Sequence, residues 1–377
     1  MQPKEKIRVF VDAHTFDGEY QGSRTFIREI YHILAQKETL DLYIGAYDII
    51  NLQKYFPTIP ADRFIKFKNR SPVIRLVFDI PSIIKKHKIH YAHFQYMVPL
   101  YKNCRYIVTV HDVLFRDYPN EFSFFYRFLK TVLYKAGVVK ADILTTVSSF
   151  SLSSIQKHLG IPKERIQLVP MAVHEKYFEP YNKSIAKKQF ASKHGFDRFI
   201  LFVSRIEPRK NHALLLSVFI DLALHMQGYH LVLLGHQSMD TPAFTELMDN
   251  LPGDIKPFVF SKNDVSDNEL LLFYHAADVF VYPSKAEGFG VPPLEAAAAK
   301  VPVICSNTSS MAEFAFFGKN HIAPEYQSVK NALQEMINES PGDPVLSVIA
   351  ETIHKQYSWT SSAEQLYKLI LADTDVL

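Results

Sequence analysis

Short apolar runs alternate with longer segments of helical spacing along nearly the whole chain, and this alternation constrains the fold more than any other feature. The first repeat of the pattern is the apolar run Ile7–Val11, a polar loop at 14–23, and the segment Thr25–Gln36, where apolar residues recur with helical spacing. Alternating strands and helices are typical of α/β domains built on parallel sheets. The sequence therefore predicts an α/β fold.

The alternation occurs twice, separated by residues 171–197, which are interpreted as a linker and the entry to a second domain. The pattern thus predicts two doubly wound parallel-sheet domains. Ligands bind where the carboxyl ends of the strands meet, so two facing domains would form a cleft. The predicted strands are 7–11, 42–46, 64–67, 90–94, 105–110, 142–147, 166–169, 199–203, 229–234, 257–260, 279–282 and 301–305. The later helical segments are predicted at 121–137, 211–226, 266–276, 325–356 and 361–372.

The length of 377 residues, with 47% hydrophobic residues, suits two domains that each have a core. No apolar run reaches 18 residues, and the first residues lack the apolar segment of a signal peptide, so neither a transmembrane helix nor a leader is expected. Cys104 and Cys305 lie in apolar, strand-like contexts. They are expected to be buried and unpaired, which fits a cytoplasmic protein.

The charge is unevenly distributed along the chain. Residues 1–170 contain 25 Lys and Arg against 15 Asp and Glu, whereas the remainder contains 17 against 24. A basic first half is compatible with contact to anionic lipid headgroups at the inner face of a membrane, or to an anionic acceptor. An ordinary solvated surface is the alternative, and nothing in the sequence predicts binding to nucleic acid.

Residues 278–313 are predicted to form the chemical centre. An apolar strand at 279–282 is followed by a loop that begins at Glu287 and contains Gly288 and Gly290, and then by a helix that carries Glu295. A strand, glycine loop and helix N-terminus in this order present backbone N–H groups to an anion. Both carboxylates are expected to face one crevice and to accept hydrogen bonds from sugar hydroxyls. The alternative is a surface loop with a glutamate favoured by the helix dipole.

Two cations follow the first strand of the second domain. Arg205 and Lys210 lie at a strand end beside a helix start, where they can form a clamp for a diphosphate. The alternative is that both are merely exposed basic residues. Gly235 ends the next strand along the chain and is expected in the same region.

His111 and Asp112 follow a strand of the first domain. A neighbouring His and Asp suggest general-base catalysis. The alternative is a histidine that only orients a substrate through a hydrogen bond. Farther along, the predicted helix 121–137 is crowded with aromatic and basic residues, which suits either core packing or contact with a membrane.

Two motifs resemble the signature of glycosyltransferase family 4. Glu287 and Glu295 are separated by seven residues and enclose Gly-Phe-Gly-x-Pro, and Ser204-Arg205 precedes Lys210-Asn211 by four residues. The family consists of retaining GT-B enzymes that transfer a sugar from a nucleotide diphosphate. This sequence departs from the family pattern at Ser204, where glycine is usual, and at Gly22-Ser23, where two glycines are common.

The resemblance implies domains at 1–172 and 173–359, with a terminal helix at 360–377 that returns to the first domain. It also implies three groups of site residues. The catalytic group is Glu287, which would bind hydroxyls of the donor sugar, together with His111 and Asp112. The donor-binding group is Arg205 and Lys210 at the phosphates, Glu295 at the ribose, the backbone of Phe289, Gly290 and Val291, and Gly235 and Gly22. Arg24 is predicted on the phosphate or acceptor side, and the alternative is an ordinary residue at the start of a helix.

The function implied by the resemblance is α-retaining sugar transfer to a glycan or lipid-linked glycan, as in bacterial surface polysaccharide assembly. GDP-mannose is the favoured donor and a UDP-sugar the next. No cofactor or essential metal is expected, and Asp373-Thr-Asp375 is interpreted as part of a frayed, non-functional tail. The alternatives are a nucleotide-sugar epimerase of the same fold, which the paired glutamates and cations disfavour, and a non-catalytic sugar-binding scaffold.

Overall fold

The computed structural model of the protein describes residues 6–18 and 22–374. The chain divides into two compact units. The first runs to Met171 and is completed by the segment that begins at Trp359, and the second is Ala172–Ser358. Each unit has its own parallel sheet, so the predicted fold class is confirmed.

In the described part of the first unit, seven strands form a parallel sheet in the order β3-β2-β1-β4-β5-β6-β7. The strands are β1 (Ile7–Asp12), β2 (Leu40–Ala46), β3 (Phe64–Lys66), β4 (Tyr91–Gln95), β5 (Arg105–Thr109), β6 (Ile143–Thr146) and β7 (Ile166–Leu168). The helices between them are α1 (Gly22–Leu34), α2 (Ile49–Tyr55), α3 (Pro72–Ile74), α4 (Ile80–His87), α5 (Leu114–Asp117), α6 (Phe124–Lys140) and α7 (Ser149–Leu159), with a π-helical turn Arg75–Asp79 joining α3 to α4.

The described second unit contains a six-stranded parallel sheet in the order β10-β9-β8-β11-β12-β13. Its strands are β8 (Phe199–Val203), β9 (His230–Leu234), β10 (Val259–Lys262), β11 (Val279–Tyr282), β12 (Val303–Ser306) and β13 (His321–Ile322). Its helices are α8 (Lys183–His194), α9 (His212–Asp221), α10 (Pro242–Asp249), α11 (Asp267–Ala276), α12 (Val291–Ala298), α13 (Tyr326–Asn338) and α14 (Asp343–Gln356). The central strands are buried throughout, which explains their continuous apolar sequence.

Helix α15 (Trp359–Thr374) belongs to the first unit and packs on α1. Trp359 is buried, and its ring lies 6.3 Å from that of Phe26 in an edge-to-face contact. The helix is also anchored near its end, because Asp373 accepts a hydrogen bond from Tyr91 Oη at 2.8 Å and forms an ion pair with Arg105. The prediction of a frayed tail is therefore wrong for Asp373, while Asp375 lies outside the described residues.

The structure corrects one local prediction and refines two others. The helical region 325–356 is interrupted between α13 and α14, where Pro341 lacks an N–H and Gly342 follows it. The predicted linker contains α8, whose buried side is small. In α6, Tyr134 packs inward but Phe124, Phe125 and Phe128 are exposed, so core packing does not explain those three rings.

Both cysteines are free thiols, as predicted, but only Cys305 is buried, whereas Cys104 is half-buried. Within residues 6–18 and 22–374, no helix combines the length and apolar character needed to cross a membrane.

Candidate functional site

The second sheet has a topological switch point at β8. The chain moves outward from this strand in both directions, since β8 lies between β9 and β11. Parallel sheets bind ligands in the crevice outside the carboxyl ends of the strands at such a point. The loops that leave β8 and β11, residues 204–211 and 283–290, carry five of the predicted site residues, among them Arg205, Lys210 and Glu287.

Lys210 and Glu287 form a buried ion pair although 76 residues separate them in the sequence. Lys210 Nζ lies 2.5 Å from Glu287 Oε1, and Tyr282 Oη donates to the same oxygen at 2.9 Å. The 3₁₀ turn Pro208–Lys210 supplies the lysine, and the end of β11 supplies the tyrosine. The structure thus joins two predicted residues and adds Tyr282, which sequence reasoning missed.

Burial and neighbouring charges shift the pKa values of both residues of this pair. Burial favours the neutral form of Glu287, but the cations of Lys210 and Arg209 outweigh it and hold the pKa of Glu287 below its ordinary value. Burial lowers the pKa of Lys210, and the neighbouring carboxylate of Glu287 opposes this change. Removing either partner would therefore leave an uncompensated buried charge.

A second acidic centre lies beside this pair and was missed by the sequence reasoning. Glu207 is buried, 3.1 Å from the guanidinium of Arg205 and ion-paired with Arg209, and Ser238 Oγ donates to it at 2.7 Å. The run Glu207-Pro208-Arg209-Lys210 was the available signal. With Lys210 and Glu287 included, three cations meet two carboxylates, which leaves one net positive charge. The side chain of Arg205 is 41% exposed, so this cation is accessible to a ligand.

Asn211 ties the two loops together. It has a left-handed backbone, with φ of 63°, a conformation that asparagine tolerates better than most residues. Its side-chain amide donates to the carbonyl oxygens of Pro283 at 3.0 Å and Pro324 at 3.2 Å. The loop after β8 is therefore fixed to the loop after β11.

Two serines shape the loop that contains Glu287. The N–H of Glu287 donates to Ser309 Oγ at 2.8 Å. The buried hydroxyl of Ser310 lies 2.9 Å from the carbonyl oxygen of Glu287 and 2.7 Å from that of Phe289, and it donates to them. The Ser309 contact thus uses an N–H of the loop, and the Ser310 contacts use two of its carbonyl oxygens. None of them was predicted from the sequence.

The start of α12 explains why the loop ends in glycine. Gly290 has a φ of 98°, and a Cβ atom there would lie 2.9 Å from Met311 Cγ. In the first turn, Pro292 and Pro293 have no N–H, so Val291 offers the backbone donor that helical hydrogen bonding leaves unused. The side chain of Phe289 packs inward against Phe314 and Tyr357, and only its backbone is suited to contact a ligand.

Glu295 lies on the second turn of α12, with partners different from those of Glu287. Tyr274 Oη on α11 donates to its Oε2 at 2.9 Å. Burial raises the pKa of Glu295 above its ordinary value, and the bond from Tyr274 opposes this rise. Each glutamate is thus held by its own neighbours, and the expectation that both face one crevice stays a prediction.

Gly235 follows β9 directly, and the packing around it leaves no room for a side chain. A Cβ atom at this position would lie 2.1 Å from the carbonyl oxygen of Ser204, the residue that precedes Arg205. The close approach of these two strand ends keeps the loop after β8 in place. Contact between Gly235 and a nucleotide stays a prediction.

The first sheet has its own switch point at β1, which lies between β2 and β4. His111 follows β5, the neighbour of β4. Its Nε2 donates to Gln95 Oε1 at 2.5 Å, and Gln95 ends β4. Burial lowers the pKa of His111 to about 3. A histidine that is so difficult to protonate is a weak general base near pH 7, so this geometry favours the alternative of an orienting hydrogen bond.

Asp112 and Arg24 also have structural partners. Asp112 Oδ1 accepts the N–H of Leu114, the first residue of α5, at 3.1 Å. Arg24 donates to Tyr55 Oη at 2.6 Å, and its guanidinium stacks over the rings of Tyr55 and Phe16. Gly22 is exposed at the first position of α1, and residues 19–21 of the predicted glycine loop lie outside the described residues.

Comparisons with known proteins agree with this organisation. The family described as Glycosyltransferase Family 4 matches residues 14–177, and the family described as Glycosyl transferases group 1 matches residues 184–347. Among solved structures, sucrose-phosphate synthase from Thermosynechococcus elongatus superposes with a TM-score of 0.77 at 16% identity, covering 99% of this chain and 100% of that one. Anabaena HepE in complex with UDP superposes with a TM-score of 0.73 at 14% identity, covering 97% and 99%.

Curated relatives are more similar in sequence over shorter regions. O-antigen chain mannosyltransferase B of Escherichia coli is 31% identical over 61% of this chain and 61% of its own length. O-antigen chain mannosyltransferase RfbU of Salmonella typhimurium is 28% identical over 65% and 63%. A GDP-mannose-dependent phosphatidylinositol monomannoside mannosyltransferase of Mycobacterium tuberculosis is 25% identical over 62% and 62%. The matched part spans about three fifths of the length of these relatives.

The two parallel-sheet units and their structural matches define the fold class as GT-B. The two family matches lie end to end along residues 14–347, and the chain belongs to glycosyltransferase family 4.

Proposed function

We propose that the protein is a retaining glycosyltransferase that transfers a sugar from a nucleotide diphosphate sugar to a glycan or lipid-linked glycan, with an α linkage in the product. The observation that carries this proposal is the cation-rich cluster at the switch point of the second sheet. Arg205, Arg209 and Lys210 surround Glu207 and Glu287 there with one positive charge in excess. A diphosphate leaving group needs such a charge at this position in the sheet.

The roles follow from how each group is held. Arg205 is exposed enough to grip a phosphate, while Lys210 has three N–H donors, of which Glu287 and Tyr282 engage two. The N–H of Val291 adds a donor at the N-terminus of α12. Negative charge that develops on the diphosphate as the glycosidic bond breaks would be stabilised by these groups without an essential metal.

Glu295 is proposed to accept hydrogen bonds from the ribose, with Tyr274 fixing one of its oxygens. Glu287 is proposed to contact hydroxyls of the donor sugar while it keeps Lys210 in place. In the first unit, His111 is proposed to orient a sugar hydroxyl, with Gln95 setting the tautomer of its ring. Asp112 and Arg24 are proposed to lie on the acceptor side.

GDP-mannose is the proposed donor, because curated relatives are named as mannosyltransferases and one of them as GDP-mannose-dependent. A UDP-sugar is the second choice, since HepE was solved with UDP. The relatives named for O-antigen chains support a surface polysaccharide as the acceptor.

The proposal is tested by incubating the protein with GDP-mannose or a UDP-sugar and mannose-containing oligosaccharides, and by determining the linkage of the product by NMR. An α-linked product is expected. A β-linked product would contradict the retaining assignment. Epimerised donor, formed without any acceptor, would instead support a nucleotide-sugar epimerase.

A further inference from the structure

Helix α6 presents an apolar face to solvent although its other side is packed. Eight apolar side chains on its outer side are 37–75% exposed, namely Phe124, Phe125, Tyr126, Phe128, Leu129, Val132, Leu133 and Val139. Most follow one another at intervals of three or four residues, as a stripe along a helix does. We name these eight residues the α6 face.

The inner side of the same helix is built into the first unit. Tyr134, Gly137 and Val138 are buried. The ring of Tyr134 stacks on that of Tyr96 with centroids 4.7 Å apart, and Phe115 meets Tyr134 edge to face. The rings of the α6 face are therefore exposed on a helix that is firmly packed on its other side.

The charged residues of α6 itself have one sign. The 17 residues of α6 contain Arg127, Lys130, Lys135 and Lys140 and no Asp or Glu. Lys140 donates to the carbonyl oxygen of Pro99 at 3.3 Å and binds that of Leu100, and so places exposed Leu100 and Tyr101 next to the end of the helix. Along its axis, α6 extends about 24 Å from Phe124 to Lys140.

We propose that the α6 face docks in the interface of an anionic lipid bilayer, with α6 parallel to the membrane plane. Exposed aromatic and aliphatic side chains would enter the headgroup and acyl boundary, and the flanking cations would meet anionic headgroups. The buried inner side of α6 keeps the helix in the plane, since inserting it across the bilayer would dismantle the packing around Tyr134. This proposal does not depend on the proposed transferase activity.

A second copy of this chain is a poorer occupant of the α6 face. In a two-fold dimer, each patch meets its own copy. Four cations of one α6 would then approach four of the other, and the helix has no carboxylate to neutralise them.

The test is co-sedimentation of the whole chain with vesicles of phosphatidylglycerol and, separately, of phosphatidylcholine. The wild-type protein is expected to bind the anionic vesicles and to bind the neutral ones more weakly. The triple variant Phe124→Ser/Phe125→Ser/Phe128→Ser is expected to lose binding at least about tenfold. The single variant Lys135→Glu should weaken binding to phosphatidylglycerol at least about threefold and leave the weak phosphatidylcholine binding unchanged.

The matched control is Ile185→Ser/Val345→Ser/Val348→Ser, three substitutions at similarly exposed apolar residues of the second unit. It should bind vesicles as the wild type does. Thermal unfolding of each variant confirms that it is folded, and sedimentation equilibrium reports the oligomeric state. Unchanged vesicle binding by the triple phenylalanine variant would overturn the proposal. A wild-type dimer that this variant dissociates, with no vesicle binding, would also overturn it in favour of a second copy.

Discussion

The two sheets each have a switch point of the same topology, but they differ in charge. In the first unit, Asp12 at the end of β1 is buried and its charge is balanced by Arg75, with Nε 3.3 Å from Oδ2. The neighbouring groups on β4 and β5 are hydrogen-bonded, with His93 Nε2 2.7 Å from Thr109 Oγ1 and His111 bonded to Gln95. In the second unit, the loops after β8 and β11 hold five charged side chains with an excess of one cation. The same fold thus offers one sheet edge suited to hydroxyls and another suited to a diphosphate.

The largest expected effect comes from breaking the buried ion pair of the second unit. Lys210→Met leaves Glu287 buried without its cation, which should lower the free energy of unfolding by about 3–5 kcal/mol. Urea denaturation measures this loss. Lys355→Met, which breaks the exposed pair with Glu351, is the control and should leave the unfolding midpoint unchanged. Equal behaviour of the two variants would contradict a coupled buried pair.

The backbone at Gly290 is the next most sensitive feature. Gly290→Ala must adopt a left-handed conformation and crowd Met311, which should cost about 1–3 kcal/mol of stability. Gly22→Ala in the first unit is the control, because a methyl group there meets no described atom within 4 Å. Thermal unfolding should therefore separate the two variants, and equal melting temperatures would argue against strain in the loop after β11.

The neutral histidines of the first unit predict a pH dependence. Burial lowers the pKa of His93 and of His111 to about 3, whereas an unfolded histidine titrates near 6.5. Between those values the unfolded chain binds more protons, so stability is complete above pH 6.5 and falls as the pH decreases. Each such histidine contributes a slope of at most about 1.4 kcal/mol per pH unit.

The measurement is the free energy of unfolding in urea from pH 7.5 to 5.5, for the wild type and for His111→Gln. The free energy of unfolding of His111→Gln should decrease less steeply as the pH falls than that of the wild type. The difference in slope should be the contribution of one histidine that binds a proton only in the unfolded chain. An identical slope in both proteins would mean that His111 is not held neutral in the folded state. His212 in the second unit, whose pKa burial also lowers to about 3, titrates in both proteins and cancels in the comparison.

How much of this could be predicted from the sequence depends on distance along the chain. Strands β8 and β11 were predicted with their observed bounds, because continuous apolar runs end there at polar or proline residues. The motif residues Arg205, Lys210 and Glu295 were found because their spacing resembles a family pattern. The ion pair between Lys210 and Glu287 was not predicted. Only the pairing of the parallel strands β8 and β11 brings together two residues that are so far apart in the sequence.

Exposure was the other quantity that the sequence could not supply. The sequence of α6 is equally rich in aromatic residues whether its rings face a core or solvent, as Phe124, Phe125 and Phe128 show. Only the structure reveals that the side of Tyr134 is the buried one. Similarly, the modest apolar content of α8 hid a helix in the predicted linker. Gln95 was missed because its partner His111 follows another strand. Glu207 was missed although its partners Arg205 and Arg209 are close in the sequence, because its burial between them is visible only in the structure.

The most direct test of the contrast between the two sheet edges is calorimetric titration of GDP and UDP into the wild type, Arg205→Ala and His111→Ala. For whichever nucleotide binds more tightly, Arg205→Ala should weaken the affinity at least about tenfold, because a charge-assisted contact to phosphate is lost. His111→Ala should retain the wild-type affinity within about twofold, because its sheet edge does not bind the diphosphate. Wild-type affinity in Arg205→Ala, or an equal loss in both variants, would contradict the assignment of the diphosphate to the second unit.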